Sequence, residues 1–517
     1  MNGAHALLAT MRANGVTTCF ANPGTSEMHF VAGLDEVPEV RAILCLFEGV
    51  ATGAADGYAR VTGTPAATLL HLGPGLANGW ANLHNARRAR VPLLNIVGDH
   101  ATYHARFDAP LQSDITSVAA AAGWQRRCER PDNVARDAAD AISAAYGPPG
   151  AVATLILPAD ASWSELGAAP AEWPLARRYN AATPGERDVV RASELLKTKR
   201  TALYVGSSAL DAHQLGLAQR ISQATGARVI METFPSIVER GLGVANPERL
   251  IYLSEFAISQ LRDLDALVLI GATAPVGFFA YPNVASELVG HGCEIVDVAP
   301  PGTDTLGALE ALVEALAAPA LVVEEGERPG LPSGELTTQS LAAAVAATMP
   351  EDLLIADESN TSGMHLYSAT RFAPPHRLMT LTGGAIGFGL PVALGAAVAS
   401  GQRVLALESD GSMMYTPQAL WSMAREGLDV TVVGLSNRSY AILTLERQRV
   451  GAMSDGSTSQ RMLDLDDPAL DLCALSSAQG VPATRVTTAD ELVAALQRSY
   501  ATPGPTFIEA MLPKGLT

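Results

Sequence analysis

The chain has 517 residues, too many for one hydrophobic core, so several domains are expected. Its 35 basic and 53 acidic residues give a net charge of −18, which argues against nucleic acid as a main partner. Hydrophobic residues make up 48% of the chain and charged residues 17%, which favours a well-packed α/β protein. The five scattered cysteines have no C-x-x-C spacing, which argues against a zinc site or a disulfide framework and fits a reducing cytoplasm.

The first block of the chain alternates predicted helices and strands, and we assign it residues 1–165. It opens with MNGAHALLATMRANG, an amphipathic helix without the basic start, long apolar centre and cleavage site of a signal peptide. A Pro- and Ala-rich linker is predicted from about residue 165 to residue 185. Apolar runs that end in glycine or polar residues predict these strands: TTCFANPG, RAILCLFE, AATLLHLGPG, PLLNIVGD and GAVATLILP.

Two further blocks, residues 186–320 and 336–517, show the same alternation. Residues 378–401 form the longest uncharged run, but seven glycines and prolines interrupt it, so we expect a buried loop and helix and no membrane span. Because strands that alternate with helices pair in parallel, we predict an α/β fold of three successive doubly wound parallel-sheet domains. The predicted strands are TALYVGSS, ARVIMETF, DALVLIGA and CEIVDVAP, then LLIADES, HRLMTLTGG, RVLALESDG, DVTVVGLSN and TFIEAML.

Polar residues follow two consecutive strands of the third block. Asp410 follows VLALES and Asn437 follows VTVVGLS, while TPQALWSMAREG between them has helical periodicity. The right-handed crossover rule makes these strands parallel and puts both residues at one edge of the sheet. A carboxylate and an amide oxygen beside a Gly-Ser turn suit a hard cation such as Mg²⁺ that shares a diphosphate. The alternative is an ordinary helix cap and an ordinary turn former.

Four longer motifs, one of which contains Asp410 and Asn437, together resemble a known family. The chain resembles the thiamine-diphosphate-dependent decarboxylase and carboligase family, which includes acetolactate synthase, pyruvate decarboxylase and benzoylformate decarboxylase. The resemblance covers essentially the whole chain and implies pyrimidine-binding, central and diphosphate-binding domains in that order. It also implies thiamine diphosphate (ThDP) and Mg²⁺ as cofactors, and a homodimer or homotetramer with the site at the subunit interface. The motifs are FEGVATGAADGYAR (47–60), GPGLANG (73–79), TGGAIGFGLPVALGA (382–396), and SDGS with LSNRSYAI.

The resemblance assigns roles to single positions. Glu48 matches the glutamate that contacts N1′ of the cofactor pyrimidine. Because Glu48 follows an apolar run we expect dry surroundings, with a favourable charge at a helix N-terminus as the alternative. Ile386 matches the bulky residue that bends the cofactor, and the backbone of Gly384 and Ile386 would hold its pyrimidine. The remaining positions are the Mg²⁺ ligands Asp410, Asn437 and the Ser439 carbonyl, and the diphosphate contacts Gly411, Ser412, Tyr440 and Ala441.

Two residues are assigned to the substrate. His71, after AATLL, matches a histidine of benzoylformate decarboxylase and would relay protons near neutral pH, although a histidine at a strand end is often structural. Thr25, in NPGTSE, lies where that enzyme has a serine that bonds the substrate carboxylate, and a helix N-cap is its alternative role. His100 and His104, after LLNIVGD, are further pocket candidates.

Three departures from the family pattern bear on function. Where benzoylformate decarboxylase has a second histidine, GATAPVGFFAYPN has aromatic residues that would line an apolar pocket. The flavin signature of acetolactate synthases is missing, so FAD is doubtful. Ser409 and Ser436 replace a glycine and an asparagine beside the predicted metal ligands. The aromatic residues are Phe278, Phe279 and Tyr281.

The sequence therefore predicts a cytoplasmic, ThDP- and Mg²⁺-dependent decarboxylase of a small-molecule 2-oxo acid, similar to benzoylformate decarboxylase. Its carbanion-like intermediate would be protonated or captured by a second carbonyl. An acetolactate synthase-like carboligase that joins two 2-oxo acids is the enzymatic alternative. A catalytically weak, ThDP-binding regulatory homologue is the alternative from another class. No nucleic acid and no membrane is expected as a partner.

Overall fold

Three β-sheets follow one another along the chain. The computed structural model describes residues 1–168, 170–453 and 456–515. Every strand pair in the first two sheets is parallel, and the third sheet contains one antiparallel pair at its edge. The predicted α/β class with three parallel-dominated sheets is confirmed, whereas the domain boundaries stay predictions.

The first sheet has six strands in the order β2-β1-β3-β4-β6-β5. Its central strands β3, β4 and β6 are buried along their whole length, as expected for strands covered by helices on both faces. The strands are β1 (Thr18–Asn22), β2 (Arg41–Leu44), β3 (Ala66–Leu70), β4 (Leu93–Asp99), β5 (Trp124–Arg127) and β6 (Val152–Pro158), and the helices are α1 (Gly3–Ala13), α2 (Met28–Gly33), α3 (Glu48–Thr62), α4 (Leu72–Ala89), α5 (Ile115–Ala122), α6 (Val134–Tyr146) and α7 (Ala159–Trp163).

The second sheet has five strands in the order β10-β8-β7-β11-β12. The segment between β8 and β10 also supplies β9, which leaves this sheet and joins the third one. The strands are β7 (Thr201–Val205), β8 (Arg228–Met231), β9 (Val238–Arg240), β10 (Glu248–Arg249), β11 (Ala266–Ile270) and β12 (Glu294–Ala299), and the helices are α8 (Glu186–Thr198), α9 (Ala212–Thr225), α10 (Ser254–Leu261) and α11 (Thr305–Ala315).

The third sheet has seven strands in the order β17-β18-β16-β15-β13-β14-β9, and β9 pairs antiparallel with β14. The run from 378 to 401 forms the end of β14, a loop and a buried helix, as predicted. The strands are β13 (Leu353–Glu358), β14 (His376–Thr380), β15 (Val404–Ser409), β16 (Val430–Ser436), β17 (Ala483–Val486) and β18 (Thr506–Met511), and the helices are α12 (Thr338–Thr348), α13 (Leu366–Ala369), α14 (Gly389–Ser400), α15 (Asp410–Met413), α16 (Ala419–Glu426), α17 (Ala441–Arg449), α18 (Ser457–Arg461), α19 (Leu472–Ala478) and α20 (Ala489–Ala501).

Four short strands, β5, β9, β10 and β17, are not predicted by the sequence patterns. The segment WQRR of β5 is only half-buried, and β17 has two exposed residues, so neither shows a continuous apolar run. The strands β9 and β10 have three and two residues, too few for any periodicity. All four are end strands of their sheets, which explains why burial does not mark them in the sequence.

The first and third sheets are joined by close packing of α3 on α14. A side chain at Gly57 would overlap the backbone of Val392, so glycine permits this approach. The fully buried pair of Asp56 and Arg60 lies beside this contact, with Arg60 Nε 2.8 Å from Asp56 Oδ1. Arg60 also donates to the carbonyl of Thr380, the last residue of β14, at 2.7 Å. The bond to Thr380 connects α3 to the third sheet, and Asp56 balances the charge of Arg60, so removal of Asp56 would leave a buried charge at this connection.

Among the residues that the structure describes, no helix is both long enough and apolar enough to cross a bilayer.

Candidate functional site

The carboxyl edge of the third sheet holds the predicted metal residues. Asp410 directly follows β15 and Asn437 directly follows β16, and these strands are parallel neighbours, as predicted. Asp410 is buried and accepts the N–H of Arg438 at 2.6 Å on Oδ2 and that of Gly411 at 2.8 Å on Oδ1. Burial raises the pKa of Asp410 to about 6, although these hydrogen bonds act in the opposite direction and lower it.

The oxygen atoms at this edge fit a hard divalent cation. The Asn437 side-chain oxygen accepts the N–H of Ser439 at 3.0 Å, which folds the turn so that residues 437–439 lie beside Asp410. Among the described residues, no group of three or more His, Cys, Asp or Glu side chains is arranged to hold a metal. A cation here would therefore depend on one carboxylate with amide and carbonyl oxygens, a donor set that Mg²⁺ accepts when phosphate completes it.

Gly411, Ser412 and Tyr440, the predicted diphosphate contacts, lie next to the predicted metal ligands. The Tyr440 ring lies directly over Gly411, where a Cβ would overlap the ring, so only glycine fits this position. Asn360 donates to Ser412 Oγ at 3.0 Å and to Ser409 Oγ at 3.1 Å. Asn360 was not among the predicted site residues, although it follows a third strand, β13, that ends at the same sheet edge. That shared edge is the signal that would have identified it.

Residues 382–389 form a loop that the sequence resemblance assigns to cofactor binding, and we call it the cofactor loop. Gly384 and Gly387 have φ angles of +74° and +91°, which favour glycine. The buried Glu358 carboxylate, at the end of β13, accepts the N–H groups of residues 387, 388 and 389 at 2.9, 2.8 and 2.7 Å. Ile386 is half-buried and directly precedes the three anchored residues. Glu358 therefore fixes the loop that carries Ile386. Glu358 was not among the predicted site residues either.

Glu408 faces Glu358 on the neighbouring strand. The two residues are in register on β15 and β13, and each is 1% exposed. Burial raises the pKa of both carboxyls, that of Glu358 to about 7. Two adjacent buried charges of the same sign repel strongly, so the pair retains a proton. We assign it to Glu408, because Glu358 accepts the three N–H groups that favour an ionised carboxylate.

Glu48 begins α3 at the carboxyl edge of the first sheet. Its Oε2 accepts a hydrogen bond from Asn78 Nδ2 at 3.1 Å. The expected dry surroundings are not provided by a single chain, in which Glu48 is half-buried. The Asn82 amide links this region to the cofactor loop, donating to the carbonyls of Gly49 at 2.8 Å and Gly387 at 3.0 Å.

The side chain of His71 is held by the carboxylate of Glu27, which was not among the predicted site residues. His71 Nδ1 lies 2.8 Å from Glu27 Oε2, and Glu27 is 2% exposed. Burial raises the pKa of Glu27, while the charge of His71 and the N–H of Gly24 lower it. With Nδ1 donating to the carboxylate, Nε2 is the ring nitrogen left to exchange a proton with a substrate. The NPGTSE segment predicted a turn, and Glu27 is the only carboxylate in that segment.

Of the other substrate-side candidates, Thr25, His100 and His104 follow strands that end at this edge, whereas Tyr281 contacts a helix of the third block. Thr25 is exposed, two residues before Glu27. The rings of His100 and His104 lie 5.4 Å apart after β4, and His100 Nε2 is buried. Tyr281 donates to a carboxylate of α17, that of Glu446, at 2.7 Å.

Comparisons with known proteins identify the family of the chain. Residues 1–122 match the family described as thiamine pyrophosphate enzyme, N-terminal TPP binding domain, and residues 360–510 match the corresponding C-terminal TPP binding domain. A Mycobacterium tuberculosis protein provisionally named as the acetolactate synthase large subunit IlvX is 52% identical over 518 residues, which cover 99% of each chain. Benzoylformate decarboxylase of Pseudomonas aeruginosa is 29% identical over 529 residues, which cover 96% of each chain.

A solved structure shows the same fold. The ThDP-dependent 4-hydroxybenzoylformate decarboxylase of Rhodococcus jostii RHA1 superposes with a TM-score of 0.82 at 24% identity, over 100% of both chains. The two matched domains lie on the sheets that carry Glu48 and Asp410. The chain therefore belongs to the thiamine pyrophosphate enzyme family and is related both to acetolactate synthase and to benzoylformate decarboxylase.

Proposed function

We propose that the protein is a ThDP- and Mg²⁺-dependent decarboxylase of a 2-oxo acid. The observation that carries this proposal is the pair of His71 and the buried Glu27 at the edge that also bears Glu48. A histidine whose Nδ1 is fixed by a carboxylate is suited to deliver a proton through Nε2, as aldehyde release after CO₂ loss requires.

Each predicted cofactor residue has a proposed task. ThDP, when bound, supplies the electron sink for decarboxylation. Glu48 would contact N1′ of the ThDP pyrimidine, and the backbone of Gly384 and Ile386 would hold that ring. The side chain of Ile386 would support the bent cofactor. Gly411 and Tyr440, with Ser412 and Ala441, would enclose the diphosphate. Mg²⁺ would be held by Asp410, Asn437 and the carbonyl of Ser439.

The substrate side is proposed from charge and position. His71 would bond the keto or carboxylate oxygen of the substrate and return a proton. Thr25, exposed two residues from Glu27, would donate its hydroxyl to the substrate carboxylate. The exposed rings of Phe278 and Phe279 supply an apolar wall for the substrate side chain.

The assembly proposed is a homodimer or homotetramer with the site between subunits, each chain divided into domains at 1–165, 186–320 and 336–517. Exposed apolar side chains support it: Leu46 precedes Glu48 by two residues and is 48% exposed, and Tyr415 beside Gly387 is 52% exposed. Apolar groups beside a site are typical of a surface that another copy covers. We further propose a cytoplasmic location and no FAD requirement.

Carboligation of the acetolactate synthase kind is the second candidate. It is favoured by the 52% identity to the Mycobacterium tuberculosis protein with that provisional name. The ligase needs the same cofactor residues, and differs in whether a second 2-oxo acid reaches the intermediate before a proton does.

A substrate panel tests the proposal. Purified protein with ThDP and Mg²⁺ is incubated with aliphatic and aromatic 2-oxo acids, and CO₂, aldehyde and acyloin are quantified. Aldehyde as the main product, reduced about 100-fold in Glu27→Gln and His71→Ala, is expected. Acetolactate from pyruvate would instead establish the ligase. Tight ThDP binding without turnover would establish the regulatory homologue.

A further inference from the structure

Four aromatic side chains form a cluster between the second sheet and the cofactor loop. Phe278 is its centre, and its ring centroid lies 5.6 Å from that of Phe234, 5.5 Å from Tyr252 and 5.4 Å from Phe279. We call this group the aromatic cluster. Rings at these separations and tilts attract each other beyond the apolar area that they bury.

The aromatic cluster contacts the cofactor loop through Phe278. A Cβ at Gly384 would lie 2.8 Å from Phe278 Cζ and 3.0 Å from Cε1, so the ring occupies the space that a side chain of residue 384 would need. Phe278 and Phe279 nevertheless remain 42% and 56% exposed. One face of the cluster therefore supports the loop and another borders the open space beside it.

Three polar side chains, Tyr281, Glu446 and Arg449, hold the chain segment that carries Phe278, and we call them the polar clasp. The Tyr281 hydroxyl donates to Glu446 Oε2 at 2.7 Å, and the Tyr252 hydroxyl lies 3.4 Å from Oε1. Arg449 donates to both oxygens of Glu446, at 2.9 and 3.1 Å, and its guanidinium lies 3.8 Å above the Tyr281 ring. Tyr281 is thus held by a hydrogen bond and by a cation–π contact at once.

The clasp is largely shielded from water. The side chains of Arg449 and Glu446 are 10% and 16% exposed, so their charges are screened less than those of surface pairs. Residues 272–291 contain no helix and no strand of the three sheets. Their backbone bridge, Val276 with Glu287, lies within the segment and does not tie it to a sheet. The attachment of Tyr281 to α17 therefore has a large share in placing Phe278.

We propose that Glu446 is a positioning residue that, through Tyr281 and Arg449, holds Phe278 against Gly384, and that Phe278 so limits the size of the substrate side chain. The statement on substrate size rests on the proposed function, whereas the statement on position does not. Loss of the clasp releases Phe278 from the loop and enlarges the space beside the cofactor.

Hydrogen exchange tests the position without any turnover. The Gly277 N–H donates to the Ser286 carbonyl at 2.7 Å and reports on this segment. In Glu446→Gln, and in the milder Tyr281→Phe, exchange at Gly277 is expected to rise about tenfold, as loss of a charge-assisted hydrogen bond predicts. Tyr252→Phe, which removes the longer contact, and Glu294→Gln, which breaks the exposed pair with Arg191, are controls that should leave it unchanged.

Substrate selection tests the consequence. The ratio of kcat/KM for an aryl 2-oxo acid to that for pyruvate is expected to rise about tenfold in Glu446→Gln and in Phe278→Ala. Unaltered exchange in both clasp variants would overturn the positioning role. Faster exchange with an unaltered ratio would overturn the role of Phe278 in size selection. If the wild type turns over no 2-oxo acid, the proposed function and size selection both fail, and exchange alone decides the clasp.

Discussion

At Asp410, burial and hydrogen bonding act in opposite directions on one carboxyl group. Burial raises its pKa to about 6, while the N–H groups of Arg438 and Gly411 lower it. A bound divalent cation would add a positive charge and favour the ionised form. Glu48 differs, because its partner is the neutral Asn78 amide and its proposed task concerns catalysis and not retention of the cofactor.

Removal of the charge should therefore lower cofactor affinity at Asp410 and the catalytic rate at Glu48. Asp410→Asn is expected to weaken ThDP binding more than tenfold at fixed Mg²⁺, because a charged ligand becomes neutral. Glu48→Gln should leave ThDP binding within about threefold of wild type but lower kcat at least 100-fold. Calorimetric titration with ThDP and steady-state rates measure both. An unaltered Mg²⁺ requirement in the first variant, or unchanged turnover in the second, would remove that residue from its assigned role.

At the scale of elements, the parallel strands of the third sheet bring residues from distant segments to one edge. β13 ends at Glu358, β15 leads to Asp410 and β16 leads to Asn437. The opposite end of the sheet has a different chemistry. There, His376 opens β14 and is 3% exposed, and its Nδ1–H donates to the Pro374 carbonyl at 2.8 Å. Burial lowers the pKa of His376 to about 4.

This histidine predicts a loss of stability in acid. Between pH 6.5 and about 4 the unfolded chain binds a proton at His376 that the folded chain does not bind, so stability falls as the pH falls. The loss approaches roughly 3 kcal/mol by pH 4. Melting temperatures of wild type and His376→Gln are compared across this range. The advantage of wild type over the variant should shrink as the pH falls, and a constant difference would contradict the assignment.

At the scale of the whole molecule, the packing of α3 on α14 and the hydrogen bond of the buried Arg60 to the Thr380 carbonyl fix the first and third sheets within one chain. In the proposed assembly, another copy would cover Glu48, which is half-buried in a single chain, and the exposed Leu46 beside it. The proposed site would then combine Glu48 of one chain with Asp410 of another.

Mixed oligomers test this arrangement. Glu48→Gln and Asp410→Ala chains, each inactive alone, are co-expressed in equal amounts. If sites lie between chains, a mixed dimer has one site with both changes and one intact site, so about a quarter of wild-type activity returns on random pairing. Sites within single chains would give none. Sedimentation analysis of the mixture confirms that dimers or tetramers form.

Much of the candidate site follows from strand ends. Asp410, Asn437 and His71 each follow a buried apolar run, so the sequence predicts their place at a sheet edge, and the structure confirms that place. Glu48 and Ile386 were assigned through long motifs that resemble a family, not through periodicity. Asn360 lies at a third strand end and was within reach of the same argument.

What the sequence by itself determined is the α/β class, the three parallel-dominated sheets and the polar residues at their carboxyl edges, because local periodicity and strand order record these features. Only the tertiary structure decided which side chains meet. His71 pairs with Glu27 across 44 residues, and Tyr281 with Glu446 across 165. Such pairs depend on where loops lie after the sheets have packed, and no local pattern of residue types encodes that distance.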